Sequence, residues 1–173
     1  MVAATIGMFD GEVAFDEAIA QISQHRRAKA LAYRFERDRR LSLLAGLLLD
    51  ELLREHGLRE CDMAYDESEL GKPVFSAHPE LQFSLAHGGE MAVAALAEQP
   101  VGVDVERLAD FPRDIAEPHE WTEMESVGKL LGTGVGTYVD SGSYSAPAGV
   151  SVEHFQTCGH LICLATHPTL PSA

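Results

Sequence analysis

The chain has 173 residues, 46% of them hydrophobic and 23% charged, enough apolar material for one well-cored domain or two small packed halves and too much for a disordered segment. A formal net charge of −14 argues against general nucleic-acid binding, which relies on Lys and Arg to neutralise phosphates. The longest apolar run, "LLAGLLL" at 43–49, is far short of a membrane span, and "MVAATIGMFDGEV" lacks the basic flank of a secretory signal, so a soluble cytoplasmic protein without a membrane partner is expected.

In chain order, residues 1–15 hold one or two strands, and a helical pattern runs from Asp16 to Lys29. Residues 26–40 carry seven of the thirteen basic residues against two acids, a local charge of +5 in an acidic chain. That patch reads either as a solvated helix face or as a docking surface for a polyanion or an acidic partner. From Phe35 to His56, Leu41, Leu44, Leu48 and Leu52 recur at helical spacing, with Gly57 placed to end the helix. "GKP" at 71–73 signals a turn; "LQFSLAH" and "MAVAALA" read as strands broken at Gly88 and Gly89.

"VGVDVE" at 101–106 follows as a strand with its valines on one face and Asp104 and Glu106 on the other. Those six residues alone fit two arrangements, an amphipathic strand with its polar face in water or half of a divalent-cation site. "WTEMESVGKLL" reads as a helix ended by "GTGVG", with Thr122 and Glu125 spaced as a capping box. A Gly/Ser-rich loop, "DSGSYSAPAGVS", leads to a last strand, "HLICLAT", whose pattern is comparable to "MAVAALA" and hints at internal pseudo-symmetry. Cys61, Cys158 and Cys163 match no common zinc or disulfide spacing and are expected to be reduced, mostly buried thiols. His154, Cys158, His160 and Cys163 can be drawn as a metal cluster, but they straddle what reads as an ordinary buried strand.

Taken together, "GKP", "FSLAHGG", "GVDVE" and "WTEMESVGKLLGTG" resemble the 4′-phosphopantetheinyl transferases of the larger type, from the basic helix near residue 35 to about Gly134. The resemblance implies an α+β fold of two similar halves, divided as 1–99 and 100–173 within one compact unit, the second half shortened. It implies transfer of the phosphopantetheine arm of coenzyme A to a serine of an acyl or peptidyl carrier protein, with Mg²⁺ as cofactor. Asp104, Glu106 and Glu125 fall on the family's metal-binding carboxylates, Glu125 also as general base, and Lys129 on a lysine within reach of the transferring phosphate. Lys72 and Pro73 of "GKP", Ser84, His87, and the basic residues about Arg39 and Arg40 fall on the coenzyme A side, although Leu41 replaces one usual arginine. Pyrophosphate is densely anionic, so such a set acts by positioning and electrostatics.

Two departures stand out. Fourteen residues, 107–120, separate Glu106 from Trp121 where the family has several tens, and Met124 replaces a lysine directly before the catalytic Glu. A relative that binds coenzyme A or a carrier protein without transferring is the alternative. "GTGVG" follows a helix rather than a strand, which disfavours a dinucleotide-binding enzyme. The shortened second half is expected to leave the protein a monomer or, through exposed apolar surface, a self-associated dimer.

Overall fold

A computed structural model describes residues 1–5, 12–112, 116–135 and 144–167. The chain is mixed α+β. It runs β1 (Val2–Thr5), α1 (Glu12–Ile19), α2 (Gln24–Ala32), α3 (Glu36–Arg54), a 3₁₀ turn (Glu60–Asp62), β2 (Tyr65–Glu67), β3 (Pro73–Phe75), β4 (Gln82–Gly88), β5 (Met91–Ala97), β6 (Val101–Arg107), α4 (Pro118–Leu131), β7 (Ser151–Thr157) and β8 (His160–Thr166). One antiparallel sheet has the order β1-β5-β4, another β6-β8-β7, and β2 and β3 form a short ribbon. The strands expected at "MAVAALA" and "HLICLAT" are the central strands of the two larger sheets.

Alternation of the side chains explains the layers. On β5, Ala92 and Ala94 face the leucine stripe of α3, where Leu41, Leu44, Leu48, Leu49 and Leu52 are buried. Met91, Val93 and Ala95 face the other way, onto Val101, Val103 and Val105 of β6. Each fully buried leucine of that stripe contributes roughly 1.5–3 kcal/mol relative to an exposed one. The opposite face of β6 meets α4, and Val127 and Leu130 of that helix pack on Ala165 of β8. Both faces of "VGVDVE" are therefore covered, and the sheet face carrying Asp104 looks into α4 rather than into water.

β6 is an edge strand, and its outer edge is closed by the first half of the chain. The Ser84 hydroxyl accepts the Val103 N–H at 3.0 Å, and the Lys72 ammonium donates to the Val101 carbonyl at 3.0 Å. At Gly88 a Cβ would lie 2.2 Å from the Val105 carbonyl oxygen, so only glycine allows that approach. Across the strand, a Cβ on Gly102 would lie 1.9 Å from the Ser126 carbonyl oxygen of α4.

Several expectations are corrected. The pattern at 16–29 is two helices, because Ser23 caps α2, its hydroxyl accepting the Arg26 N–H, while its own N–H and O–H are held by the buried Glu60 carboxylate. α4 starts at Pro118, so Thr122 lies inside it and its hydroxyl donates to the Pro118 and His119 carbonyls; there is no capping box, and Glu125 has no capping duty. β7 was not expected: its side chains are polar and mostly exposed, and its turn to β8 is made by Cys158 and Gly159, both at positive φ. Of the three cysteines only Cys163 is buried. Gly57 does end α3 as expected, at φ +73, with the Leu58 and Gly57 N–H groups donating to the Leu53 and Arg54 carbonyls. Of the strands expected over 1–15, β1 is present, the chain is already helical from Glu12, and 6–11 lie outside the described residues, as do residues 140–143 of the loop expected at 140–151.

The β6–α4 contact has a direct test. Gly102→Ala forces backbone apart at a packed junction and should lower stability by about 2 kcal/mol or more, read as a reduced urea midpoint with an unchanged slope; an unchanged midpoint would contradict the described packing.

Candidate active site

β6 and α4 bring Asp104 and Glu125 to one lysine, Lys129, despite the short connection between the two elements. Asp104, 6% exposed, accepts the Lys129 ammonium on Oδ1 at 2.6 Å, and Glu125 Oε2 lies 3.9 Å from the same nitrogen. The other Asp104 oxygen, Oδ2, is buried without a hydrogen-bond partner. Burial raises the Glu106 carboxyl, the neighbouring Asp104 raises it further, and a hydrogen bond from Trp121 pulls against both. Burial also raises Glu125, with Lys129 opposing and Asp104 adding to the rise. Asp104 acts electrostatically on both glutamates, on top of the larger effect of their burial.

These side chains have the donor chemistry of a hard cation site, carboxylate oxygens of which one, Asp104 Oδ2, is orphaned. Among the described residues, however, no three His, Cys, Asp or Glu side chains converge closely enough to enclose an ion, and the Lys129 ammonium provides the nearby positive charge. The drawn cluster of His154, Cys158, His160 and Cys163 likewise does not come together.

Beside the acids lies a cavity of about 280 Å³ whose lining includes Arg26, Lys29, Lys72, Ser84 and Lys129 and, among the described residues, no carboxylate. Burial lowers Arg26; burial and then Arg26 lower Lys29; and burial lowers Lys72 to about 8. Cations gathered in this way without acids favour an anionic ligand. Pro73 lines the same cavity, at the turn opened by Gly71. A larger cavity of about 670 Å³ lies on the other side of Lys72, rimmed by Asp66, Glu67 and Glu69, a charge unsuited to phosphate.

His87 does not reach the cavity lining; its Nε2 sits 3.3 Å from the Tyr33 hydroxyl, and burial keeps its pKa low. Arg39 and Arg40 are not brought to the cavity either. Arg39 donates to the Tyr33 carbonyl, Arg40 pairs with Glu36, and both line a separate small cleft with Phe15 and Asp16. Their place is taken by Arg26 and Lys29, one turn apart on α2, a spacing of three that puts them on one helix face and was readable in "HRRAK". Their helix is fixed by the Ser23–Glu60 knot, in which the fully buried Glu60 also accepts from the Tyr65 hydroxyl. Met124 is 7% exposed, so the residue that replaces the expected lysine is part of the core. In the described part of the 107–120 connection, Arg107 pairs with Asp110 at 3.2 Å and Phe111 is buried.

Carboxylates on a strand and a helix thus lie beside a cation-lined cavity. The family model described as "4′-phosphopantetheinyl transferase, N-terminal" matches residues 11–99, half of the chain, and the protein belongs to that family. It is 26% identical over 116 residues to a 4′-phosphopantetheinyl transferase of Bacillus subtilis, covering 64% of this chain and 52% of the relative. To the 4′-phosphopantetheinyl transferase psf-1 of Bacillus pumilus it is 28% identical over 138 residues, 66% of this chain and 59% of the relative. To the 4′-phosphopantetheinyl transferase Sfp of Bacillus subtilis strain 168 it is 25% identical over 144 residues, 69% of this chain and 64% of the relative. The chain thus spans between half and two thirds of the length of these relatives.

The raised Glu125 carboxyl makes a stability prediction with a definite sign. Because its folded pKa lies above the unfolded value, the native state must release a tightly held proton as pH rises above the ordinary carboxylate range, which costs stability. Glu125→Gln should therefore raise the thermal midpoint by roughly 1–3 °C at pH 7, and the gain should vanish near pH 4, where the acid is protonated in both states. A midpoint that falls at pH 7, or a gain that persists at pH 4, would contradict the assigned environment.

Proposed function

We propose that this protein transfers the 4′-phosphopantetheine arm of coenzyme A to a serine hydroxyl of an acyl or peptidyl carrier protein in a Mg²⁺-dependent reaction. The observation that carries the reading is the junction at Lys129, where the acids of β6 and α4 meet a cavity lined by cations and suited to the phosphates of coenzyme A.

In this reading, Arg26 and Lys29 hold the phosphates, with Lys72 in the same cavity wall, and the desolvation of these cations strengthens that attraction. Asp104 and Glu106 would hold the metal with Glu125 beside them; bound there, Mg²⁺ supplies neutralisation and polarisation of the pyrophosphate. Lys129, now paired to Asp104, turns toward the anion and offsets charge that builds on the departing phosphate. Glu125, whose raised pKa suits it to accept a proton, takes the hydrogen of the carrier serine as its oxygen attacks the β-phosphorus. The bond from that phosphorus to the bridging oxygen breaks, and 3′,5′-ADP leaves with the electron pair.

The fold supports a further part of this reading. β1, α3, β4 and β5 make a strand, a helix and a hairpin whose last strand is central; β6, α4, β7 and β8 repeat that order. We take 1–99 and 100–173 as two related halves, the second shortened, with the reaction at their seam.

The test is incubation with coenzyme A, Mg²⁺ and several apo carrier proteins, read by mass spectrometry of the carrier. The modified carrier is the expected product, and Asp104→Ala and Glu125→Gln should each reduce its rate by about a hundredfold or more. Binding of coenzyme A with no modified carrier in any reaction would leave a silent relative in place of the enzyme.

A further inference from the structure

Lys72 stands at the cavity, but two of its three donors are already committed inside the protein. Its Nζ donates to the Val101 carbonyl at 3.0 Å and to the Leu130 carbonyl at 3.3 Å. Val101 is the first residue of β6, and its carbonyl belongs to the strand edge that β8 does not pair. Leu130 lies in the last turn of α4, where backbone carbonyls have no partner within the helix and a cation meets the negative end of the helix dipole. One ammonium therefore ties together the two elements that carry Asp104, Glu106, Glu125 and Lys129.

The surroundings make that tie structural rather than incidental. The last turn of α4 is held from outside as well, the Gly134 N–H returning to the Gly128 carbonyl at 3.2 Å. Gly132, at φ +77, would place a Cβ 3.5 Å from the Lys72 Cβ, so the lysine stem packs directly on the end of the helix. Lys72 itself is anchored, its N–H donating to the Ser68 hydroxyl at 3.0 Å and its carbonyl accepting the Ser68 N–H at 2.8 Å.

We infer that Lys72 is a positioning residue, a strut between the start of β6 and the end of α4 that sets the spacing of the acids and Lys129, rather than chiefly a ligand of the phosphates. Its importance for catalysis rests on the proposed transferase reading; the strut itself does not.

Hydrogen–deuterium exchange of the ligand-free protein separates the two roles, because a residue that only binds ligand leaves ligand-free exchange unchanged. Lys72→Met should speed exchange at residues 127–131 and 102–104 by about tenfold or more, whereas Lys29→Met, from the same cavity, should leave those amides as they are. Lys72→Arg, which keeps donors at that place, should retain most of the protection and gives a readable result even if Lys72→Met fails to fold. In the transfer reaction, Lys72→Met should lower kcat about tenfold with KM for coenzyme A changed less than about threefold. Unchanged exchange in Lys72→Met, lost protection in Lys72→Arg, or a loss confined to KM would each overturn the strut.

Discussion

Everything at the candidate site depends on closing the outer edge of β6. An edge strand presents unpaired N–H and C=O groups, and here they are met by side chains and by close backbone contact instead of by another strand. Ser84 takes the Val103 N–H, Lys72 takes the Val101 carbonyl, and Gly88 lets β4 come against Val105. The consequence is geometric: the first half of the chain is docked on the strand that carries Asp104 and Glu106, and the cavity lies along that seam. On the far side of the same strand, Gly102 admits the backbone of α4, which brings Glu125 and Lys129 within reach of Asp104.

Charge is divided across this seam. The acids sit on the second half; the cavity cations come from both halves, with Arg26, Lys29 and Lys72 from the first and Lys129 from α4. Buried groups of one sign are costly when left to themselves, which the raised carboxyls of Glu106 and Glu125 and the lowered Lys72 register. Lys129 sits at the boundary and couples the two clusters. A ligand carrying both phosphates and a bound cation would relieve both imbalances together, which is why a phosphate-bearing substrate suits the site better than the larger, acid-rimmed cavity does.

Much of the frame was legible in the sequence because local signals matched tertiary demand. The leucine stripe of α3, the strands at 82–88, 91–97 and 101–107, and the closing strand all follow from periodicity. What escaped depended on partners distant in the chain. The break between α1 and α2 needs Glu60, thirty-seven residues from Ser23. β7 is polar enough to read as loop and is ordered by pairing with β8. Among the site residues, Asp104 and Glu125 meet at Lys129, Glu106 shares the strand face of Asp104, and Lys72, Pro73 and Ser84 line the cavity. Arg39 and Arg40 turn to local acceptors, because a charge-rich run does not reveal which of its members face inward; Arg26 and Lys29 are those members. Lys72 and Ser84 were legible as residues of a site but not as the groups that hold β6 in place.

In the proposed function, the cation-lined cavity and the carboxylates of β6 and α4 form one site for coenzyme A and a divalent cation. Calorimetric titration with coenzyme A, with and without Mg²⁺, tests it most directly. Mg²⁺ should tighten binding by about tenfold or more, and Asp104→Ala should abolish the tightening while the metal-free affinity remains. Binding indifferent to Mg²⁺, or tightening that survives Asp104→Ala, would contradict it.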